Sequence, residues 1–411
     1  MPRPALLFLS HFLPYPPDSG ATIRTFNVLK QLRREFDVTV LMFWRRNHQP
    51  DVLSREVGRR GLEELGLDAF DALPIASEHS LARKAWDHLR SVVTRRAYSF
   101  YQYESPRFQQ QLRQALARTE FRLVHVDSID LHGRLGGLPS LPIVCTHHDI
   151  ESHALRHRAA HATPAPLRWY IRYQARLVEE TERALCPTFS ANLVMSELDA
   201  ERLLMVAPDA KVAVAPNGVD TAFFTPSTDG KKPSGRVIFV GHTYHPPNRD
   251  AVDFFLDAIW PRVRARCPAA SFTMIGRGTA GTAADSGRLS SRAGVTAHGY
   301  VPDVRPHFAN ADCVVVPIRF GGGTRVKILD AWAMGRAVVS TSAGCEGLRA
   351  LDGENILVRD TPEEFSEAVS EVLAHAELRR HLGDSGRRTV EELYSWDRLG
   401  SELRGLYRRL I

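Results

Sequence analysis

The feature that most limits the fold is a rhythm that starts twice. Short, nearly unbroken apolar runs alternate with stretches of helical periodicity. The first series is ALLFLS (5–10), DVTVLMF (37–43), RLVHVDS (122–128), PIVCTH (142–147) and ANLVMS (191–196). The second is RVIFVG (236–241), SFTMIG (271–276), GVTAHG (294–299), CVVVPI (313–318), AVVST (337–341) and NILV (355–358). Strands that are apolar on both faces belong to parallel sheets covered by helices, and strand–helix alternation builds βαβ units. Between strands, Val252, Phe255, Leu256 and Ile259 recur at helical spacing, as do Phe365, Ala368, Val369, Val372 and Leu373. Thr361, Pro362 and Glu364 supply an N-cap, an N1 proline and a capping-box acid.

A stretch rich in Pro, Gly, Ser and Lys, VAPNGVDTAFFTPSTDGKKPSGR (214–236), separates the two series. The expected organisation is α/β: a doubly wound domain over 1–213, a linker over 214–235 and a second doubly wound domain over 236–395. The helix at 396–411 is expected to pack back on the first domain. Ligands of such sheets lie at the carboxyl ends of the strands.

Composition narrows the function. The five cysteines (Cys145, Cys186, Cys267, Cys313, Cys345) have neither zinc-ligand nor disulfide spacing, which suits a reducing cytoplasm. No run approaches the 18 or so apolar residues of a membrane span, and the apolar start is broken by Ser10 and His11 without a cleavage site, so it reads as a strand. Net charge is +6, and 47 of 53 basic residues are arginine. They are spread along the chain without a nucleic-acid-binding motif, so phosphorylated substrates or anionic lipid account for them better than nucleic acid does.

Chemistry concentrates in CVVVPIRFGGGTRVKILDAWAMGRAVVST (313–341), a buried strand, three glycines and a helix. Gly321, Gly322 and Gly323 let a ligand approach the backbone, and the free amides of the helix start favour an anion. Arg325 and Lys327 lie in the first turn, where cations oppose the helix dipole unless an anion joins them. The plainer alternative is an i,i+3 pair of Lys327 with Asp330.

This segment resembles the donor-binding loop and helix of glycosyltransferase family 4, retaining enzymes of GT-B fold. The resemblance continues in PYPPDSGATIRTFNVLKQL (14–32), NGVD (217–220) and the long stretch 295–348, in family order. It implies two Rossmann-like domains facing across a cleft, with acceptor on the first and nucleotide-sugar donor on the second. It also implies that Asp330 holds the ribose hydroxyls, standing at the second acid of the family's E-x7-E pair. The first acid falls on Gly322, so its sugar contact is missing. The family's Arg and Lys after the first C-domain strand are replaced by His242 and Arg249, and Arg325 and Lys327 are expected to take over the diphosphate, with Thr324 in the same GGGTR-x-K loop. Gly241 and His242 follow the first strand of the donor domain; Arg277, Val301 and Asp303 fall where the base sits, and Gly20 matches a glycine near the phosphates. His148 matches a histidine near the donor sugar, while His147 is expected to point the other way on the pleat.

No Asp-x-Asp occurs, so no metal and no cofactor beyond the nucleotide-sugar is expected, and front-face attack with electrostatic stabilisation of the leaving diphosphate fits retention. The glycines of IGRGTAG (275–281) offer a dinucleotide-binding alternative, but no fitting helix or distal acid follows. A GT-B nucleotide-sugar epimerase and a noncatalytic sugar-nucleotide-binding partner remain as alternatives to a transferase. The acceptor is expected to be a sugar, a lipid-linked group or a small molecule in cell-surface polysaccharide or glycolipid assembly. The basic, aromatic segment 80–116, with Trp86, Tyr98, Phe100, Tyr101 and Tyr103, reads most plainly as a solvated helical hairpin. The alternative is peripheral contact with anionic membrane at its inner face or with a lipid-linked acceptor.

Overall fold

The computed structural model describes residues 3–46, 48–49, 51–160, 163–226, 235–278, 292–321 and 325–411. The chain divides into two compact units, Met1–Pro216 with Leu399–Ile411, and Asn217–Arg398. The division falls inside the stretch read as a linker: a strand runs to Val214, and Val219 is already buried in the second unit's core.

The first unit holds an eight-stranded sheet of β1 (Ala5–Ser10), β2 (Asp37–Trp44), β3 (Asp68–Ala69), β4 (Leu73–Pro74), β5 (Leu123–Val126), β6 (Ile143–Thr146), β7 (Ala191–Val194) and β8 (Val212–Val214). Its order is β3-β2-β1-β5-β6-β7-β8, with β4 paired to β2. The second unit holds β9 (Arg236–Val240), β10 (Ser271–Ile275), β11 (Val295–His298), β12 (Cys313–Val316), β13 (Ala337–Ser340) and β14 (Leu357–Val358), in the order β11-β10-β9-β12-β13-β14. All these pairs are parallel, with register such as Leu6 beside Leu123 and Cys313 beside Val237. In each sheet the winding direction reverses beside the first strand, between β1 and β5 and between β9 and β12. Those reversals are where doubly wound sheets open a crevice for ligand at their carboxyl ends.

Burial explains the runs. Residues 6–9 of β1 and 313–316 of β12 are wholly inaccessible, covered on both faces by helices. The last helix, Trp396–Leu410, gives most of its length to the first unit. There Arg404 Nε donates to Glu35 (3.0 Å), and the Tyr407 hydroxyl hydrogen-bonds His125 Nδ1 beneath the sheet's carboxyl edge.

Candidate functional site

In the first unit the polar groups gather where β1 and β5 end. Asp127 follows β5 and is buried. Its Oδ2 accepts from Ser10 Oγ (3.2 Å) at the end of β1 and from Thr25 Oγ1 (2.8 Å) on the helix Gly20–Leu32. Its Oδ1 faces His148 Nε2 at 3.3 Å and His125 Nε2 at 3.8 Å. Burial alone would raise this carboxyl's pKa, but the imidazoles of His148 and His125 and the nearby His11 outweigh it and hold it well below the usual carboxylate range. The His11 pKa is itself pushed well down by burial and then by Arg45, and its Nδ1 has no hydrogen-bond partner among the described residues.

Ligating atoms of His11, Asp127 and His148 lie within 4.8 Å of one another, a spacing that suits a divalent ion as well as a sugar hydroxyl. His147 diverges from His148 as the pleat requires. Its Nε2 lies 3.0 Å from Asn192 Oδ1, and burial lowers it to about 4, so it is a core histidine. Gly20 begins the Gly20–Leu32 helix at the surface, with Ser19 as its cap.

In the second unit the corresponding carboxyl edge collects basic groups. The helix Val326–Ala333 starts at Arg325 with no side-chain cap; Ile328 N donates to the Arg325 carbonyl (2.9 Å), and the Val326 and Lys327 amides have no partner among the described residues. Ile328, Leu329 and Trp332 anchor it in the core, which turns Lys327 and Asp330 to the half-buried side. The i,i+3 pair expected as the plain alternative does not form. Lys327 Nζ instead donates to Asn248 Oδ1 (2.8 Å) and sits 4.3 Å from the centre of the Phe239 ring. Burial, then the adjacent Arg325, lowers this ammonium to about 7. Burial raises Asp330 to about 7, and its carboxylate has no hydrogen-bond partner among the described residues.

Arg325 is buried and donates to the Gly321 carbonyl, bracing the loop. Gly241 lies against the same ammonium: a Cβ there would stand 2.8 Å from Lys327 Nζ and 3.0 Å from Asn248 Nδ2, so any side chain would displace them. His242 Nδ1 accepts from the Arg277 amide (3.1 Å), and the Arg277 guanidinium lies 5.2 Å from the Tyr300 ring, next to half-buried Val301.

The structure therefore brings Gly241, His242, Arg277, Gly321, Arg325 and Lys327 to one sheet edge. Gly322, Gly323 and Thr324 lie outside the described residues. Asp303 is taken by Arg305, which donates to it at 2.8–3.1 Å, and Arg249 is exposed. In the dinucleotide-like run, Gly276 has φ +140° and packs on the Gly241 carbonyl, so strand-end packing explains it; residues 279–281 lie outside the described residues.

Sequence reading alone does not single out Asp127, His11 or Asn248. The available signals are an acid directly after an apolar strand, a histidine after β1, and a polar residue behind two prolines at the start of the helix Pro246–Phe254.

Solved structures share this fold over whole chains. Sucrose-phosphate synthase from Thermosynechococcus elongatus superposes with a TM-score of 0.72 at 15% identity, covering 99% of both chains. HepE of Anabaena, in complex with UDP and glucose, does so with a TM-score of 0.69 at 12% identity, over 99% of this chain and 100% of that one. The fold class is GT-B, two Rossmann-like domains, and the protein is a glycosyltransferase. It belongs to glycosyltransferase family 4, whose profile matches residues 18–223, just over half the chain, while the profile described as Glycosyl transferases group 1 matches residues 234–375. An uncharacterised glycosyltransferase of Methanocaldococcus jannaschii is 27% identical over 93 residues, 22% of this chain and 24% of that protein, so the match spans about a quarter of that relative.

Proposed function

We propose that the protein transfers a glycosyl unit from a nucleoside-diphosphate sugar to an acceptor hydroxyl with retention and without a metal, in cell-surface polysaccharide or glycolipid assembly at the inner face of the cell membrane. One observation carries the reading. Lys327 and Asp330 are ionisable groups of opposite sign held half-buried on one helix face without an ion partner in each other. Leaving such groups unpaired is costly. A diphosphate against Lys327, Arg325 and the open first-turn amides, with ribose hydroxyls against Asp330, satisfies both.

As the donor bond breaks, charge grows on the bridging oxygen, and preformed cations there stabilise it. His148, held by Asp127, then acts by hydrogen bonding to a sugar hydroxyl. HepE was solved with UDP and glucose, which supports a nucleoside-diphosphate sugar here.

The test is turnover of a panel of nucleotide sugars with candidate acceptors, followed by NMR of the anomeric centre. Retained configuration with full activity in chelator is expected; an inverted product overturns the mechanism, and donor epimerised without acceptor makes it an epimerase. A second reading rests on the His11–Asp127–His148 group. Activity lost in chelator, restored by manganese or zinc and insensitive to metal in His11→Ala, would place an ion there.

A further inference from the structure

The helix Leu81–Thr94 is built inside out. An amphipathic helix on a globular domain normally turns its apolar stripe inward. Here the inward face is polar. Asp87 and Ser91 are fully buried, Asp87 accepts from Arg83 Nε (2.9 Å), Ser91 Oγ accepts from Gln174 Nε2 (2.8 Å), and His88 Nδ1 meets the Tyr170 hydroxyl at 2.6 Å. The outward face carries Leu81, Trp86, Leu89 and Val93, with Leu81 86%, Trp86 55% and Val93 74% exposed.

The last two of these contacts join it to the helix Ala165–Leu185, whose first turns expose Leu167 and Trp169, the latter 64% exposed and stacked on Tyr173. The bonds to Tyr170 and Gln174 fix the orientation: rotating the helix to bury Trp86 and Val93 would strip His88 and Ser91 of these partners. The apolar exposure is therefore a structural commitment of the first unit.

Charge chooses the occupant. Segments 81–96 and 163–176 contain eight Lys and Arg (Arg83, Lys84, Arg90, Arg95, Arg96, Arg168, Arg172, Arg176) against one acid, the buried Asp87. Arg83 and Arg90 are answered by Asp87 and Glu104 and Arg176 by Glu180, which leaves Lys84, Arg95, Arg96, Arg168 and Arg172 in no ion pair among the described residues. A second copy docked face to face would set these cations against each other. Nucleic acid would meet the charge but leave Leu81, Leu89 and Val93 in water.

We infer that the outward faces of these two helices dock on an anionic lipid bilayer, the Trp and aliphatic side chains entering the headgroup–acyl boundary and the Lys and Arg meeting lipid phosphate. Compared with the plain hairpin expected for 80–116, the membrane face is narrower in sequence and includes a helix from outside that segment. No helix among the described residues is long and apolar enough to cross a membrane. Docking is thus at the surface, and it would place the enzyme beside an acceptor carried on lipid.

The test uses the full chain and needs no turnover, so its result is independent of the sugar-transfer reading. Protein is floated with phosphatidylcholine vesicles with or without about one third phosphatidylglycerol, at low and high salt, and tryptophan emission is followed. Binding to the anionic vesicles with a blue shift is expected, reduced at high salt. The double variant Trp86→Glu, Val93→Glu should bind at least roughly tenfold more weakly, with unchanged melting temperature and unchanged turnover of a soluble acceptor. Binding equal on neutral vesicles, no binding to anionic ones at low salt, or undiminished binding by the folded double variant would overturn the inference. So would a concentration-dependent dimer that the double variant abolishes.

Discussion

The two sheet edges occupy equivalent places in the same fold and settle their buried charge in opposite ways. At the edge of β1 and β5 the charge is already answered: Asp127 receives two hydroxyls and faces two imidazoles, and its carboxyl is held ionised despite burial. At the edge of β9 and β12 it is not. Among the described residues, Lys327, pushed down to about 7, has an amide oxygen and an aromatic ring but no acid for company, and Asp330, pushed up to about 7, has no hydrogen bond. A site completed by its own protein holds a side chain in position; a site left incomplete favours the ligand that completes it. The first edge therefore reads as a positioning device and the second as the edge that suits the proposed diphosphate.

The sharpest way to break that contrast is to remove one charge from each edge and measure stability and turnover together. Lys327→Met and Arg325→Ala should each lower kcat by roughly 10²-fold, the scale of losing a donor that stabilises developing negative charge. Lys327→Met should leave stability unchanged or raised, since a half-buried ammonium is replaced by an apolar chain of similar length. Asp127→Asn should destabilise by about 1–3 kcal/mol, because a carboxylate accepting several hydrogen bonds is replaced by a group that can accept fewer. Calorimetry showing the same sign for Asp127→Asn and Lys327→Met would erase the distinction.

A smaller effect belongs to His148. Its ring faces a fixed carboxylate, so His148→Ala should cost about tenfold in kcat, the loss of one hydrogen bond of about 1.4 kcal/mol in the transition state. Affinity for free nucleoside diphosphate should stay at the wild-type level, because the proposed diphosphate site is built by the other unit alone. Equal losses in kcat and in nucleotide affinity would show that the histidine supports the donor site as a whole.

The fold was legible because each long strand is a continuous apolar run bounded by polar turns, which burial on two faces demands. Strands β3, β4 and β8 were not legible, having two or three residues each and no run to mark them. Of the second edge, the glycine loop and its cations could be read, since loop and helix start are adjacent in sequence. Asn248 could not: it meets Lys327 from 79 residues away. The first edge is harder still. Asp127 is bound by Ser10 and Thr25, 117 and 102 residues distant, and His11 looked only like an interruption in an apolar start. The tryptophan and arginines of 80–116 were visible in composition, but which helix face they occupy depends on where His88 and Ser91 find partners.

The finest probe of the comparison is pH, because Lys327 and Asp330 at the incomplete edge are both shifted to about 7. Asp330 has a folded pKa raised from its ordinary 3.8 to about 7, so the folded state binds the extra proton between those values. Stability from its neutral form is complete below about pH 4 and is lost as pH rises through about 7. Lys327 runs the other way: its pKa falls from 10.5 to about 7, the folded state releases a proton early, and stability is regained as pH rises from about 7 towards 10. The unliganded second unit should thus be least stable near neutrality, and bound nucleoside diphosphate should raise its melting temperature most there. The advantage of Asp330→Asn over wild type should widen from pH 5 to 8, and that of Lys327→Met should shrink from pH 7 to 9. Each should amount to a few degrees, since about 1 kcal/mol moves the melting point of a unit this size by roughly 2–4 °C. Melting differences that stay flat from pH 5 to 9 would mean that neither group is desolvated enough to wait for a ligand, and the two edges would then differ in sequence but not in kind.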